Sequence, residues 1–262
     1  MIYIIFLLFT IFVLLIAFYQ WQYFMVFTPT YHREGELDSS FEILSVTTQD
    51  GVELEGVVFT PDEIKNTILF FGGRSHDVVG IIKKLSFSYP HSRIVTFNYR
   101  SYGESQGKVS EKNIFADGVK EAQIVQKHYG DFYIVGFSLG SSVSTYVASQ
   151  VDSLALFLIG SFDSIASIAK EKFVVRGSFP MIDLSEIFRY KFNNKKHVQN
   201  IDAPTYLFVS RDDETTYIEN ARNLKKYIKN LAEYRELDKL THKELLWDDE
   251  VVNEINRVIN DK

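Results

Sequence analysis

A serine set between glycines, a histidine near the end of the chain and a run of carboxylates between them are the residues here that could do chemistry together. The serine is Ser138, in Gly136-Phe137-Ser138-Leu139-Gly140. The apolar run Phe132 to Val135 precedes it, and small residues suited to starting a helix follow. On a strand-to-helix turn, G-x-S-x-G lifts the serine hydroxyl clear of the sheet. It also puts the serine at a helix N-terminus, where unpaired N–H groups and the helix dipole favour developing negative charge. The pentapeptide arises by chance in many chains, so its flanks carry the inference. The bland alternative is a glycine-bounded βα turn with a solvated serine.

A serine nucleophile needs a base, and the base needs an orienting acid. Where this elbow occurs, the chain order is serine, acid, histidine. Of the six histidines, His242 follows a strand-like Tyr234 to Leu237 and a short polar loop, and precedes a terminal helix. It is the expected base. His76, after a Gly-Gly pair, is the second choice, but it lies before the serine. The acid is expected after the strand Thr205 to Val209, in Ser210-Arg211-Asp212-Asp213-Glu214. Asp213 is the expected residue and Asp212 the alternative. The oxyanion needs two backbone donors. These are expected from Leu139, directly after the serine, and from Arg74 in Gly72-Gly73-Arg74. Gly73 and Phe137 are expected to border the substrate.

Residues of this kind need a rigid frame. Strand-like runs cover Phe41 to Thr48 and Val52 to Phe59, joined by an Asp-Gly turn. Others cover Thr67 to Phe71, Ile94 to Tyr99, Phe132 to Val135, Leu154 to Ile159 and Thr205 to Val209. Helical patterns cover about 76–87, 111–128, 141–150 and 248–259. A hairpin followed by alternating β and α elements predicts an α/β fold: a mostly parallel sheet with helices on both faces. Residues 161–200 break the alternation and read as a small cap.

From Ile2 to Tyr19 the only clearly polar residue is Thr10, and about fourteen residues are Ile, Leu, Val or Phe. At roughly −0.3 to −0.6 kcal/mol each, they favour insertion into a bilayer by on the order of 5 kcal/mol. No Lys or Arg precedes the run, and Gln20-Trp21-Gln22 is a poor cleavage site, so an uncleaved single-pass anchor is expected rather than a signal peptide. Residues 1–27 are read as anchor and interfacial belt, 28–40 as a linker and 41–262 as the enzyme domain. The net charge of −6 with no basic patch argues against nucleic acid. Absence of cysteine excludes a disulfide framework, a thiolate zinc site and a cysteine nucleophile.

Taken together, the motifs resemble the α/β-hydrolase superfamily. More narrowly, they resemble its membrane-anchored serine hydrolases, related to lysophospholipases, monoacylglycerol lipases and protein depalmitoylases. The landmarks are Thr48 to Leu54, Leu69 to Arg74, Asn98 to Ser105, Gly136 to Gly140 and Phe162 to Ile165. The resemblance covers nearly everything after about residue 40. It implies the same roles for Ser138, Asp213 and His242, and hydrolysis without metal or cofactor. The family often has Asn at 74, Gly at 101 and 210, and Pro at 217, where this chain has Arg74, Ser101, Ser210 and Tyr217. Arg100 and Asp117 are expected to form a structural ion pair. The expected activity is hydrolysis of carboxylic esters or thioesters of lipid-like or acylated substrates. An aminopeptidase or amidase on the same triad is the alternative. An inactive, membrane-bound binding module is the reading from another class.

Overall fold

The computed structural model describes residues 2–33, 35–175 and 188–261. The chain opens with helix α1 (Ile2–Val26). The strands are β1 (Phe41–Thr47), β2 (Glu53–Phe59), β3 (Asn66–Phe71), β4 (Ser92–Phe97), β5 (Tyr133–Phe137), β6 (Leu156–Ile159), β7 (Thr205–Ser210) and β8 (Leu231–Leu237). They form one sheet in the order β1-β2-β4-β3-β5-β6-β7-β8. β1, β2 and β4 pair antiparallel, and every pairing from β4 through β3 to β8 is parallel. The sheet is therefore mostly parallel, as expected.

The parallel strands alternate between two cores. Leu69, Phe71, Ile134, Leu156, Leu158, Leu207 and Val209 point to one face. Ile68, Phe70, Tyr133, Val135, Phe157, Ile159 and Phe208 point to the other. Period-two burial of apolar residues on both faces requires helices on both faces. α2 (Val78–Ser88) and the C-terminal α9 (Asp249–Asn260) cover the second face with Val79, Ile82, Val251 and Ile255. α3 (Glu111–Tyr129) and α4 (Leu139–Ala148) cover the first with Ile114, Ala122, Val143 and Val147. Ser110 caps α3 in a reciprocal box with Asn113.

α2 starts at Val78, two residues later than expected, because His76 N–H turns back to the Gly73 carbonyl. α4 starts at Leu139, two residues earlier than expected, because the serine turn runs straight into it.

Arg100 makes two parallel hydrogen bonds to Asp117 (2.7 and 2.8 Å) and two to Asp50 (both 2.7 Å). The expected pair is thus a triad that ties the β1–β2 turn to α3. The guanidinium holds the Asp50 carboxyl well below the usual carboxylate range, chiefly through those hydrogen bonds.

In the cap segment, α5 (Ile165–Val175) is followed, after residues 176–187 that lie outside the described residues, by α6 (Asn194–Val198). Glu111, at the start of α3, accepts the N–H groups of Lys191 (2.6 Å) and Phe192 (2.7 Å) and fixes the return of the chain. α7 (Ile218–Leu224) lies between β7 and β8, and the short α8 (His242–Leu245) follows β8.

α1 is 25 residues long with a mean hydropathy of 2.9 over its most apolar stretch, none of which is buried in the protein. At about 1.5 Å per residue it exceeds the ~30 Å hydrocarbon core of a bilayer. Its last turn behaves differently. Gln22, Tyr23, Val26 and the following Phe27 are buried, and the last three pack in the first core. The division read at residue 27 is therefore not a packing boundary, and a truncation through it would remove core side chains. The segment after α1 is also bound: Arg33 pairs with Glu55 and Asp77.

Candidate active site

β5 delivers Ser138 into α4 through a sharp turn. Ser138 has φ of +54° and ψ of −119°, a conformation that costs a non-glycine residue free energy. Three hydrogen bonds hold it there: its N–H donates to the Ile159 carbonyl (2.9 Å), and its carbonyl accepts from Ser141 N–H (2.9 Å) and Ser141 Oγ (2.6 Å). The flanking glycines are required by close approach. A Cβ on Gly140 would overlap the carbonyl oxygen of Phe71, and one on Gly136 would overlap Ser144 Oγ. The first contact is with backbone, so little can yield.

The three residues singled out by chain order meet here. Ser138 Oγ lies 2.8 Å from His242 Nε2, and His242 Nδ1 lies 2.7 Å from Asp213 Oδ2. All three side chains are buried. His242 begins α8, whose Thr241–Glu244 capping box fixes the helix start. Glu214 accepts the His242 N–H at 3.1 Å. Asp212 is elsewhere: its carboxylate accepts Lys239 N–H at 2.7 Å, on the surface.

Asp213 is held by four donors. Oδ1 accepts the N–H groups of Thr215 and Thr216, both at 2.8 Å. Oδ2 accepts Thr216 Oγ1 at 2.7 Å besides the imidazole. Burial pushes the Asp213 carboxyl up, but the hydrogen bond and charge of His242, with the two hydrogen bonds from Thr216, outweigh it and keep it below its ordinary range. Ser210 links the acid loop to the histidine loop, since its hydroxyl donates to Leu240 (2.6 Å) and accepts Asp212 N–H (3.1 Å). Thr216 gave no signal in sequence, because hydroxyl residues near a carboxylate are common in loops, and Ser210 stood out only as a departure from the glycine of similar chains.

The N–H groups of Leu139 and Arg74 have no acceptor among the described residues. The loop Gly72 to Arg74 that carries the second is clamped. Tyr99 Oη donates to the Gly72 carbonyl (2.7 Å), Gly73 N–H donates to His76 Nδ1 (3.2 Å), and Tyr102 Oη donates to the Arg74 carbonyl. Gly73 packs against Phe137 and Ser138.

Beside Ser138 lies a cavity of about 160 Å³. Met25, Val26, Leu139, Phe162, Ile165 and Ile168 form its apolar wall, and Arg74, Lys172 and Glu214 its polar edge. Gly73 and Phe137, expected to border the substrate, do not line it. The Phe137 ring is instead buried between the imidazoles of His76 and His242, at centroid distances of 5.4 and 4.9 Å. Residues along a strand alternate between its two faces, and Phe137, in step with Tyr133 and Val135, points into the second core.

His76 thus supports the loop Gly72 to Arg74. Burial pulls its pKa down to about 4, helped by the charges of His242 and Lys243. Its folded value lies below the unfolded one, so the unfolded chain takes up the proton first. The stability this neutral imidazole contributes is complete above about pH 6.5 and is lost as pH falls towards 4. His76→Asn keeps an acceptor for Gly73 N–H but does not titrate. The melting-temperature advantage of wild type over this variant is therefore expected to shrink between pH 7 and 4. Parallel melting curves across that range would contradict the assignment.

No family model matches the chain. Over 145 residues it is 30% identical to lysophosphatidylserine lipase ABHD12 from Macaca fascicularis, a match covering 50% of this chain and 36% of that protein. Over 162 residues it is 25% identical to human alpha/beta hydrolase domain-containing protein 17B, covering 57% of this chain and 51% of that one. The chain thus spans about a third to a half of the length of these relatives. An esterase from Pyrococcus furiosus superposes with a TM-score of 0.64 at 16% identity, covering 88% of this chain and 96% of the esterase. The architecture is the α/β-hydrolase fold.

Proposed function

We propose that this protein is a membrane-anchored serine hydrolase that cleaves carboxylic ester or thioester bonds in lipid-like or acylated substrates. The observation that carries the reading is the unbroken relay from Asp213 Oδ2 through the imidazole of His242 to Ser138 Oγ, with contacts of 2.7 and 2.8 Å. His242 Nε2 takes the proton as Ser138 Oγ attacks the substrate carbonyl. The N–H groups of Leu139 and Arg74 receive the oxyanion; one such donor typically contributes about 3 kcal/mol to transition-state stabilisation. Asp213 holds the imidazole in the tautomer with its proton on Nδ1 and stabilises the cation. The imidazolium then gives its proton to the leaving alcohol or thiol, and an acyl-Ser138 ester remains. Water, deprotonated by His242, cleaves that ester and restores the serine.

α1 is the bilayer anchor in this reading. Its apolar length and its junction with the cavity wall support substrates that partition into membranes, as does the likeness to a lysophosphatidylserine lipase. No cofactor or metal takes part in these steps.

The test is covalent labelling of the full chain in detergent micelles with a fluorophosphonate. One adduct, on Ser138, is expected, together with turnover of p-nitrophenyl esters. Labelling that persists in Ser138→Ala would overturn the assignment of the nucleophile. Labelling of Ser138 with amide but no ester turnover would overturn the choice of scissile bond.

A further inference from the structure

The C-terminal turn of α1 does more than end a helix. Met25 and Val26 line the cavity beside Ser138, together with the α5 residues Ile165, Ile168 and Ala169. The carbonyls of a helix's last turn have no partner within the helix. That of Met25 accepts Arg74 Nη1 at 2.6 Å. Three residues on, Thr28 N–H lies 3.2 Å from the Arg74 carbonyl and 2.9 Å from Tyr102 Oη, whose hydroxyl donates to that same carbonyl. Arg74 is thus bound through both its side chain and its backbone to residues 25–28. The turn itself is fixed from below: Phe27 is fully buried and meets the rings of Tyr190 and Phe192 edge-on, at 4.9 and 6.1 Å.

The cavity is small. At about 160 Å³ it falls below the ~300 Å³ at which pockets for drug-sized ligands begin. In so small a space, one wall residue decides how much acyl chain fits. Met25 is unbranched, half-buried and placed at the edge where α1 meets the cavity.

We propose that the last turn of α1 is a specificity-determining part of the hydrolase site: Met25 sets the depth of the acyl pocket, and the Met25 carbonyl, through the Arg74 guanidinium, positions the oxyanion loop. This rests on Ser138 being the nucleophile. It makes the anchor's end part of the site, so that the helix cannot be exchanged for an unrelated tether without changing selectivity. Arg74 acts here as a positioning residue through its side chain.

The experiment uses the full chain in lipid–detergent micelles and a series of p-nitrophenyl esters of increasing chain length, with fluorophosphonate labelling of every variant. Met25→Ala is expected to move the optimum to longer chains, with kcat/KM rising about fourfold for each further methylene buried. Met25→Trp is expected to move it to shorter ones, and Met25→Leu to keep the wild-type profile. Arg74→Ala is expected to lower kcat about tenfold with little change in KM, and Arg74→Lys to recover part of the loss. Active Met25 variants with the wild-type profile would overturn the pocket wall while leaving the hydrolase reading intact. An unchanged kcat in Arg74→Ala would overturn the clamp. Absence of labelling in wild type would instead remove the hydrolase reading itself, and this inference with it.

Discussion

Ser138→Ala is expected to lower kcat for esters by about 10⁶, His242→Ala by a similar factor, and the double variant by scarcely more than either. The two side chains act as one unit. With its hydroxyl gone, the imidazole 2.8 Å away has no proton to take; with the imidazole gone, the hydroxyl stays protonated. Residual catalysis of about 10³-fold over water is expected to survive, because the donors at Leu139 and Arg74 still act on the carbonyl. Steady-state kinetics on the three variants, each checked by its melting curve, measure this. Losses that multiply in the double variant would mean that the residues act independently, which a shared proton forbids. Stability gives a second readout. Ser138 holds φ at +54°, and alanine keeps that strain whereas glycine relieves it. Ser138→Gly should therefore melt above Ser138→Ala while being equally inactive.

The frame and the central contacts could be read from sequence for a common reason: each is local or ordered along the chain. Period-two runs such as Leu156 to Ile159 announce strands buried on both faces, and the glycines at 136 and 140 announce a turn where backbones touch. The order of Ser138, Asp213 and His242 needs only the succession of strand ends. Contacts between distant segments leave no such trace. Arg74 and Met25 are 49 residues apart, and nothing about either residue type announces their meeting. The hydropathy that marks α1 also hid its last turn, since an apolar residue suits lipid and protein core equally; Tyr23 and Phe27 looked like an interfacial belt and lie in the core. Phe137, expected to border the substrate, is carried by strand alternation into the second core, between His76 and His242. The unusual residues at 101 and 217 also find a physical setting. Both adopt positive φ, +69° at Ser101 and +52° at Tyr217, so glycine suits the first position and proline cannot occupy the second in this conformation.

Asp213→Asn is expected to lower kcat about 10⁴-fold at neutral pH, while Asp212→Asn stays within a few-fold of wild type. The difference follows from where the donors sit. Asp213 Oδ1 receives two backbone N–H groups, from Thr215 and Thr216, and these cannot be satisfied by an amide nitrogen. Asparagine must therefore keep its oxygen there and put its NH₂ where Oδ2 stood, against His242 Nδ1. Facing a donor, Nδ1 becomes the acceptor, and the imidazole proton moves to Nε2. That nitrogen then donates towards Ser138 Oγ and cannot take its proton. The geometry survives and the tautomer is wrong, so the loss should fall on kcat with substrate binding spared. Thr216 Oγ1, which donates to Oδ2 in the wild type, can rotate to accept from the new amide, so the variant should fold. Among the described residues the Asp212 carboxylate accepts only the exposed Lys239 N–H, and the carboxamide of asparagine can accept the same bond. Pre-steady-state acylation rates for the two variants separate them directly. A collapse in Asp212→Asn with activity retained in Asp213→Asn would reassign the acid, and with it the relay on which the proposed mechanism stands.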